Sequence, residues 1–104
     1  MTNFVLVYTG GGMPESEEEQ ANVMAAWGKW YEGMGAAIVD GGNPFGVSKN
    51  VSGDGVSDGP VSSPPATGYT IITAESLDEA VAKVGNHPHI GYGGQVSVYE
   101  TFQM

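Results

Sequence analysis

A chain of 104 residues is the usual size for one domain with one core, and a hydrophobic content of 40% is ordinary for a folded protein despite 17 glycines. Its formal net charge of -9, twelve acidic side chains against Lys29, Lys49 and Lys83, repels phosphate backbones and anionic head groups and so weighs against nucleic-acid and membrane-surface roles. The absence of cysteine removes disulfides, a thiolate nucleophile and any Cys-containing zinc site, a usage compatible with a cytoplasmic protein.

The opening Met1-Thr2-Asn3-Phe4-Val5-Leu6-Val7-Tyr8 has no positive leading region and too short an apolar run for a secretion signal, so it predicts a strand from about Asn3 to Thr9. No run approaches the roughly twenty apolar residues of a membrane span, which makes a soluble protein the expectation. Gly10-Gly11-Gly12 ends the strand. Ser16 with Glu19 three residues later predicts a capping box, and Glu15, Glu17, Glu18 and Glu19 put negative charge at the positive end of a helix dipole. Val23, Met24, Trp27, Trp30, Tyr31 and Met34 recur at three- and four-residue spacing and predict that helix's buried face, with Trp27 in the core. Trp30 and Tyr31 are adjacent, so one of them is expected at a rim where it can stack on a planar ligand. Gly35 is the expected left-handed closing residue.

Ala36 to Asp40 predicts a second strand, stopped by the dense turn signal Gly41-Gly42-Asn43-Pro44. A wholly structureless stretch from Gly41 to Ala66 is too long for a compact domain. A small hairpin resolves this, with Val47 to Ser52 pairing with Gly55 to Asp58 across Gly53-Asp54, followed by a Ser62-Ser63-Pro64-Pro65 connector stiffened by proline. Thr67 to Ala74 is the clearest strand. Ser76 with Glu79 caps a second helix whose apolar face is Leu77, Ala80, Val81 and Val84; Gly85-Asn86 ends it and Pro88 bars its continuation. A last strand is expected from about Gly94 to Phe102. The order predicts an α+β, ferredoxin-like βαββαβ sandwich with an inserted hairpin, as a single domain over residues 1–104. Both faces of its sheet carry apolar side chains, whereas two helices cover only one. A homodimer packed sheet against sheet is therefore expected.

The order of Phe4-Val5-Leu6-Val7-Tyr8, a helix with Met24, Trp27 and Tyr31, the Gly35-to-Pro44 strand and turn, Asp58-Gly59-Pro60, Gly68-Tyr69, Ser76-Leu77-Asp78-Glu79-Ala80 and a closing Val-x-Val strand resembles the YCII-related family, its DGPF subgroup most closely. The resemblance covers nearly the whole chain through short motifs. It implies a dimeric α+β barrel of two ferredoxin-like subunits, in a family most of whose members have no established activity. The subgroup's Asp-Gly-Pro-Phe is Asp58-Gly59-Pro60-Val61 here, and Ser62-Ser63-Pro64-Pro65 replaces the charged residues that usually follow. The helix histidine that some relatives pair with an aspartate falls at Met24, so that dyad does not carry over.

Candidate chemistry rests on the residues themselves. Asp40, at the end of an apolar strand, suits acid or base work if buried; a turn-initiating carboxylate bonded to Gly42 or Asn43 is the weightier reading. His87 and His89 flank Pro88 and are candidates for proton transfer, although His87 near a helix carboxyl end is also explained by the dipole. A metal would need Asp40, Asp58 or another chain to complete its ligands, and neither a metal nor a cofactor is expected. Gly10-Gly11-Gly12 lacks the Gly-Lys-Ser/Thr ending of a phosphate loop and is followed by glutamates that repel phosphate.

Three functions stand. The first is a homodimeric binding or accessory module for a small organic ligand, with Trp30, Tyr31, Asn43, Phe45 and Asp58 as candidate contacts. The second is a cofactor-free lyase, isomerase or dehalogenase-like enzyme using Asp40 with His87 or His89. The third is a purely structural dimer.

Overall fold

The computed structural model describes residues 1–11, 15–59 and 65–102; Gly12 and the 60–64 segment, on which the turn and connector readings partly rest, lie outside them. Strand β1 (Thr2–Gly10) leads to helix α1 (Glu17–Met34) and a short 3-10 turn over Gly35–Ala37. Strand β2 (Ile38–Asp40) follows, then the hairpin β3 (Lys49–Ser52) and β4 (Gly55–Asp58), and β5 (Ala66–Ala74). Helix α2 (Leu77–Val84), a one-turn helix α3 (Pro88–Gly91) and strand β6 (Gly94–Glu100) complete the chain. The main sheet has the order β2-β5-β1-β6 with every neighbour antiparallel, which is the ferredoxin-like α+β plan with β3 and β4 as a separate two-stranded insertion.

Alternation in β1 decides which side chains enter the core. Phe4, Leu6 and Tyr8 point to the helices and are buried, while Val5 and Val7 point away and stay half-exposed. Register carries the pattern across the sheet: Phe4 faces Ile72, Leu6 faces Thr70 and Val98, and Tyr8 faces Gly68 and Val96. With Trp30, Ala74, Ala80 and Val84 these residues form the core, and each large apolar side chain so buried contributes about 1.5–3 kcal/mol.

Both long helices begin as their caps dictate. Ser16 and Ser76, in extended backbone, accept the amide N–H of Glu19 and Glu79 through their hydroxyls, and Gly35 closes α1 at φ 53°. The buried stripe of α1 is shifted from the expected one. At about 100° per residue the stripe centres on Val23, Trp30 and Met34, leaving Met24 beyond Tyr31 at its edge, where it is 75% exposed. In α2 only Ala80 and Val84 are buried; Leu77 and Val81 are exposed. The second strand is shorter than expected because a 3-10 turn takes Gly35 to Ala37.

The hairpin turns at Gly53-Asp54 as expected, and its free ends are pinned by Lys49 Nζ at 2.7 Å from Asp58 Oδ1. Val51 and Val56 face each other across it and are 74% and 65% exposed. Among the described residues no helix is long and apolar enough to cross a membrane.

Candidate functional site

The carboxyl end of β2, the amino-terminal end of β5 and the helix face of β1 meet α1 in a cleft of about 360 Å³. Its walls include Trp27 and Tyr31 from α1 and Asn43 and Pro44 from the turn after β2; Tyr8 and His89 close its inner end. Two glycines place the turn. Gly42 adopts φ 76°, and a Cβ there would run into the Tyr69 carbonyl; Gly68 leaves room for Pro44 Cα, 3.3 Å from where a Cβ would stand. The Phe45 amide then donates to Thr67 O at 2.8 Å and anchors the turn to β5.

Beneath the cleft lies a buried hydrogen-bonded chain. The His89 amide donates to His87 Nδ1 at 3.0 Å, so His87 caps the amino end of α3 through its ring. His87 Nε2 is 3.1 Å from Tyr8 Oη, Tyr8 donates to Thr70 Oγ1 at 2.7 Å, and Thr70 donates to Gly41 O at 3.1 Å. Tyr31 donates to the same carbonyl at 2.9 Å. His87, Tyr8, Thr70, Gly41 and Tyr31, five residues from separate stretches of the sequence, are thereby tied together.

His87 is 2% exposed and boxed by Tyr8, Trp27 and Trp30, with ring centroids 4.9, 4.5 and 4.3 Å away. Burial, reinforced by His89, pushes its pKa down to about 4, so it is neutral at neutral pH. This replaces the expectation of a charged partner for the α2 dipole. Burial also raises Tyr8 to about 12, against the opposing bond to Thr70 and with a smaller push from Tyr31.

His89 is placed differently. Its Nε2 is 2.8 Å from Thr9 O, which as a carbonyl only accepts, so Nε2 carries the proton. The other nitrogen, Nδ1, has no hydrogen-bond partner among the described residues. The ring sits in a slot between β1 and β6 that exists because Gly11 and Gly94 have no side chains: a Cβ at Gly94 would overlap the ring, and one at Gly11 would stand 2.9 Å from Cε1.

Asp40 is exposed. Its Oδ1 accepts the Gly42 amide at 2.9 Å and its Oδ2 accepts the Tyr69 hydroxyl at 3.3 Å, which is the turn-initiating arrangement, and it meets neither histidine. Trp30 is in the core with Nε1 donating to Lys83 O at 3.3 Å, which leaves Trp27 and Tyr31 as the aromatic walls of the cleft. Of the adjacent pair it is Tyr31 that reaches the rim, and Trp27, expected in the core, packs against it with one side while lining the cleft with the other. Asn43 lines the cleft; Phe45 stacks on Tyr69 at 5.8 Å outside it, and Asp58 is on the hairpin with Lys49. Sequence reasoning missed Tyr8, Thr70, Trp27 and the glycine slot. Tyr8 and Thr70 each sit at an inward position of a strand, so their meeting was readable once the β1–β5 register was known. Among the described residues no three of His, Asp and Glu gather in a metal-binding group.

No family model and no curated protein matches the chain. The structure is similar to that of the 5-chloro-2-hydroxyhydroquinone dehydrochlorinase of Burkholderia phenoliruptrix AC1100, solved in complex with 2,5-dihydroxybenzoquinone: TM-score 0.57 and 22% identity, over 97% of this chain and 95% of that one. The likeness is one of fold, and it holds from end to end.

Proposed function

We propose that this protein binds a small planar, oxygenated ring in the cleft and acts on it by proton transfer through His89. The observation that carries the reading is the position of His89, an imidazole with Nε2 anchored and Nδ1 without a partner among the described residues, at the inner end of a cleft walled by Trp27 and Tyr31. A volume of about 360 Å³ suits a single substituted ring, and flat aromatic walls suit a flat ligand. In the neutral form His89 Nδ1 accepts a proton from a ring hydroxyl, leaving imidazolium and ring oxyanion, and returns it to oxygen or to a ring carbon. Support also comes from the likeness of fold to the dehydrochlorinase, whose activity and bound ligand concern such rings, and from the resemblance to the YCII-related family.

The test uses 1,2,4-trihydroxybenzene as probe, following tryptophan fluorescence for binding and exchange of ring C–H for solvent deuterium for proton transfer. The expected result is saturable quenching, and catalysed exchange that falls on the order of 100-fold or more in His89→Gln. Exchange unchanged by that substitution would remove His89 from the reaction. Quenching without exchange would support a binding module instead, a reading favoured by one observation: no carboxylate among the described residues touches His89 to orient it.

We also propose that two copies pack their helix-free sheet faces together. Val5, Val7, Ile71 and Tyr69 stand on that face without a helix over them, and Val51 and Val56 of the separate hairpin are exposed. Sedimentation at micromolar concentration is expected to give twice the chain mass, and Ile71→Lys is expected to give the monomer. A wild-type monomer would reject this association.

A further inference from the structure

The polar groups at the inner end of the cleft can be assigned donor by donor. The His89 amide can only donate, so His87 Nδ1 carries no hydrogen and the neutral ring is protonated at Nε2, which donates to Tyr8 Oη at 3.1 Å. The Tyr8 hydroxyl proton goes to Thr70 Oγ1, and the Thr70 and Tyr31 hydroxyl protons go to Gly41 O. The His89 Nε2 proton goes to Thr9 O. Every side-chain proton of these five residues is therefore committed to an acceptor within the protein. What they leave for a ligand is lone pairs, on Tyr31 Oη and, in neutral His89, on Nδ1. Of the other lining side chains, Thr67 and Tyr69 donate to Tyr8 O and Asp40 Oδ2, which leaves the Trp27 indole and the Asn43 amide as donors. No lysine lines the cleft and the chain has no arginine, so no permanently charged side chain there neutralises a carboxylate or phosphate.

We infer that the inner end of the cleft selects a ring carrying at least one free, uncharged hydroxyl, which enters first and donates to His89 Nδ1 or Tyr31 Oη, in preference to rings whose oxygens are ethers, carbonyls or carboxylates. This rests on the reading that a planar ring occupies the cleft. A ligand without a donor leaves two acceptors facing each other's lone pairs or an ether oxygen, and loses the hydrogen bonds those acceptors made to water. Tyr8 has a positioning role here: by taking the His87 proton and giving its own to Thr70, it keeps both from pointing into the cleft.

The experiment is a binding series at neutral pH on the full chain with hydroquinone, 4-methoxyphenol and 1,4-dimethoxybenzene, which carry two, one and no hydroxyl donors on one ring. The expected order places the first two within a few-fold of each other and the dimethyl ether at least about 10-fold weaker, the worth of one or two hydrogen bonds. Tyr31→Phe, which removes one acceptor and keeps the aromatic wall, is expected to narrow the gap between 4-methoxyphenol and the dimethyl ether by about 3-fold or more. Equal binding of all three, or a gap that Tyr31→Phe and His89→Phe both leave intact, overturns the donor rule while the planar-ring reading stands. No binding by any of the three overturns both.

Discussion

Between pH 6.5 and pH 4 the protein is expected to lose about 3 kcal/mol of folding stability through one side chain, His87. In the unfolded chain this imidazole takes up a proton near pH 6.5; in the folded protein burial among Tyr8, Trp27 and Trp30 delays that uptake to about pH 4. Across the window the unfolded state binds more protons than the folded one, so stability is fully present above about pH 6.5 and falls as the pH drops. A domain of this size holds roughly 5–15 kcal/mol in all, so the loss is a large fraction of it. Chemical denaturation of wild type and His87→Asn at pH 7 and pH 4.5 measures the effect. Asparagine keeps a capping acceptor for α3 but does not titrate, so the variant, though less stable at pH 7, is expected to show a much flatter dependence over this window. Equal slopes in the two proteins would mean that His87 is not held neutral.

The second large effect is expected from a substitution that touches no ligand. Gly94→Ala places a methyl group where the His89 ring lies, and the ring has to leave its slot and its bond to Thr9 O. Two small terms oppose each other in stability: the lost hydrogen bond costs about 0.5–1.5 kcal/mol, and replacing glycine in a strand returns about 0.5–1 kcal/mol. The fold is therefore expected to stay within about 1 kcal/mol of wild type. Proton exchange on 1,2,4-trihydroxybenzene is expected to fall on the order of 100-fold, because an imidazole displaced by an ångström or more no longer meets the ring hydroxyl. Thermal denaturation read beside the exchange rate separates the two outcomes. Full exchange activity in a normally folded Gly94→Ala protein would show that the slot does not position the base.

The strands, the two serine caps and the inserted hairpin were legible in the sequence because each depends on local chemistry: alternation, a hydroxyl at a helix start, glycines at a turn. The ferredoxin-like order followed from them. The site was only half legible. His89 and Tyr31 could be named from their types, and Asn43 from its turn. Which tryptophan faces the cleft depends on where the buried stripe of α1 is centred, a matter of about 60° that the positions alone do not settle once Met24 is counted in the stripe. The bond between Tyr8 and Thr70 depends on the register of β1 against β5, and the caging of His87 depends on three elements meeting around it. Glycine was the least readable residue of all. Gly11 and Gly94 look like turn punctuation, yet both act as absences that admit an imidazole.

The cleft draws its reactive groups and its outline from different parts of the chain. Tyr8, Thr70 and Thr9 are held by the long central strands, whereas Asn43 and Pro44 lie on a turn fixed to the sheet by few bonds and leading into an insertion. Gly41 and Gly42 are held by the bonds from Thr70 and Tyr31 and by the close approach of Tyr69, but the side chains of residues 43–48 can diverge without touching the histidines, so that new ligand preferences can be explored on an unchanged proton-handling base. A scaffold divided in this way is well suited to serve as a starting point for directed evolution.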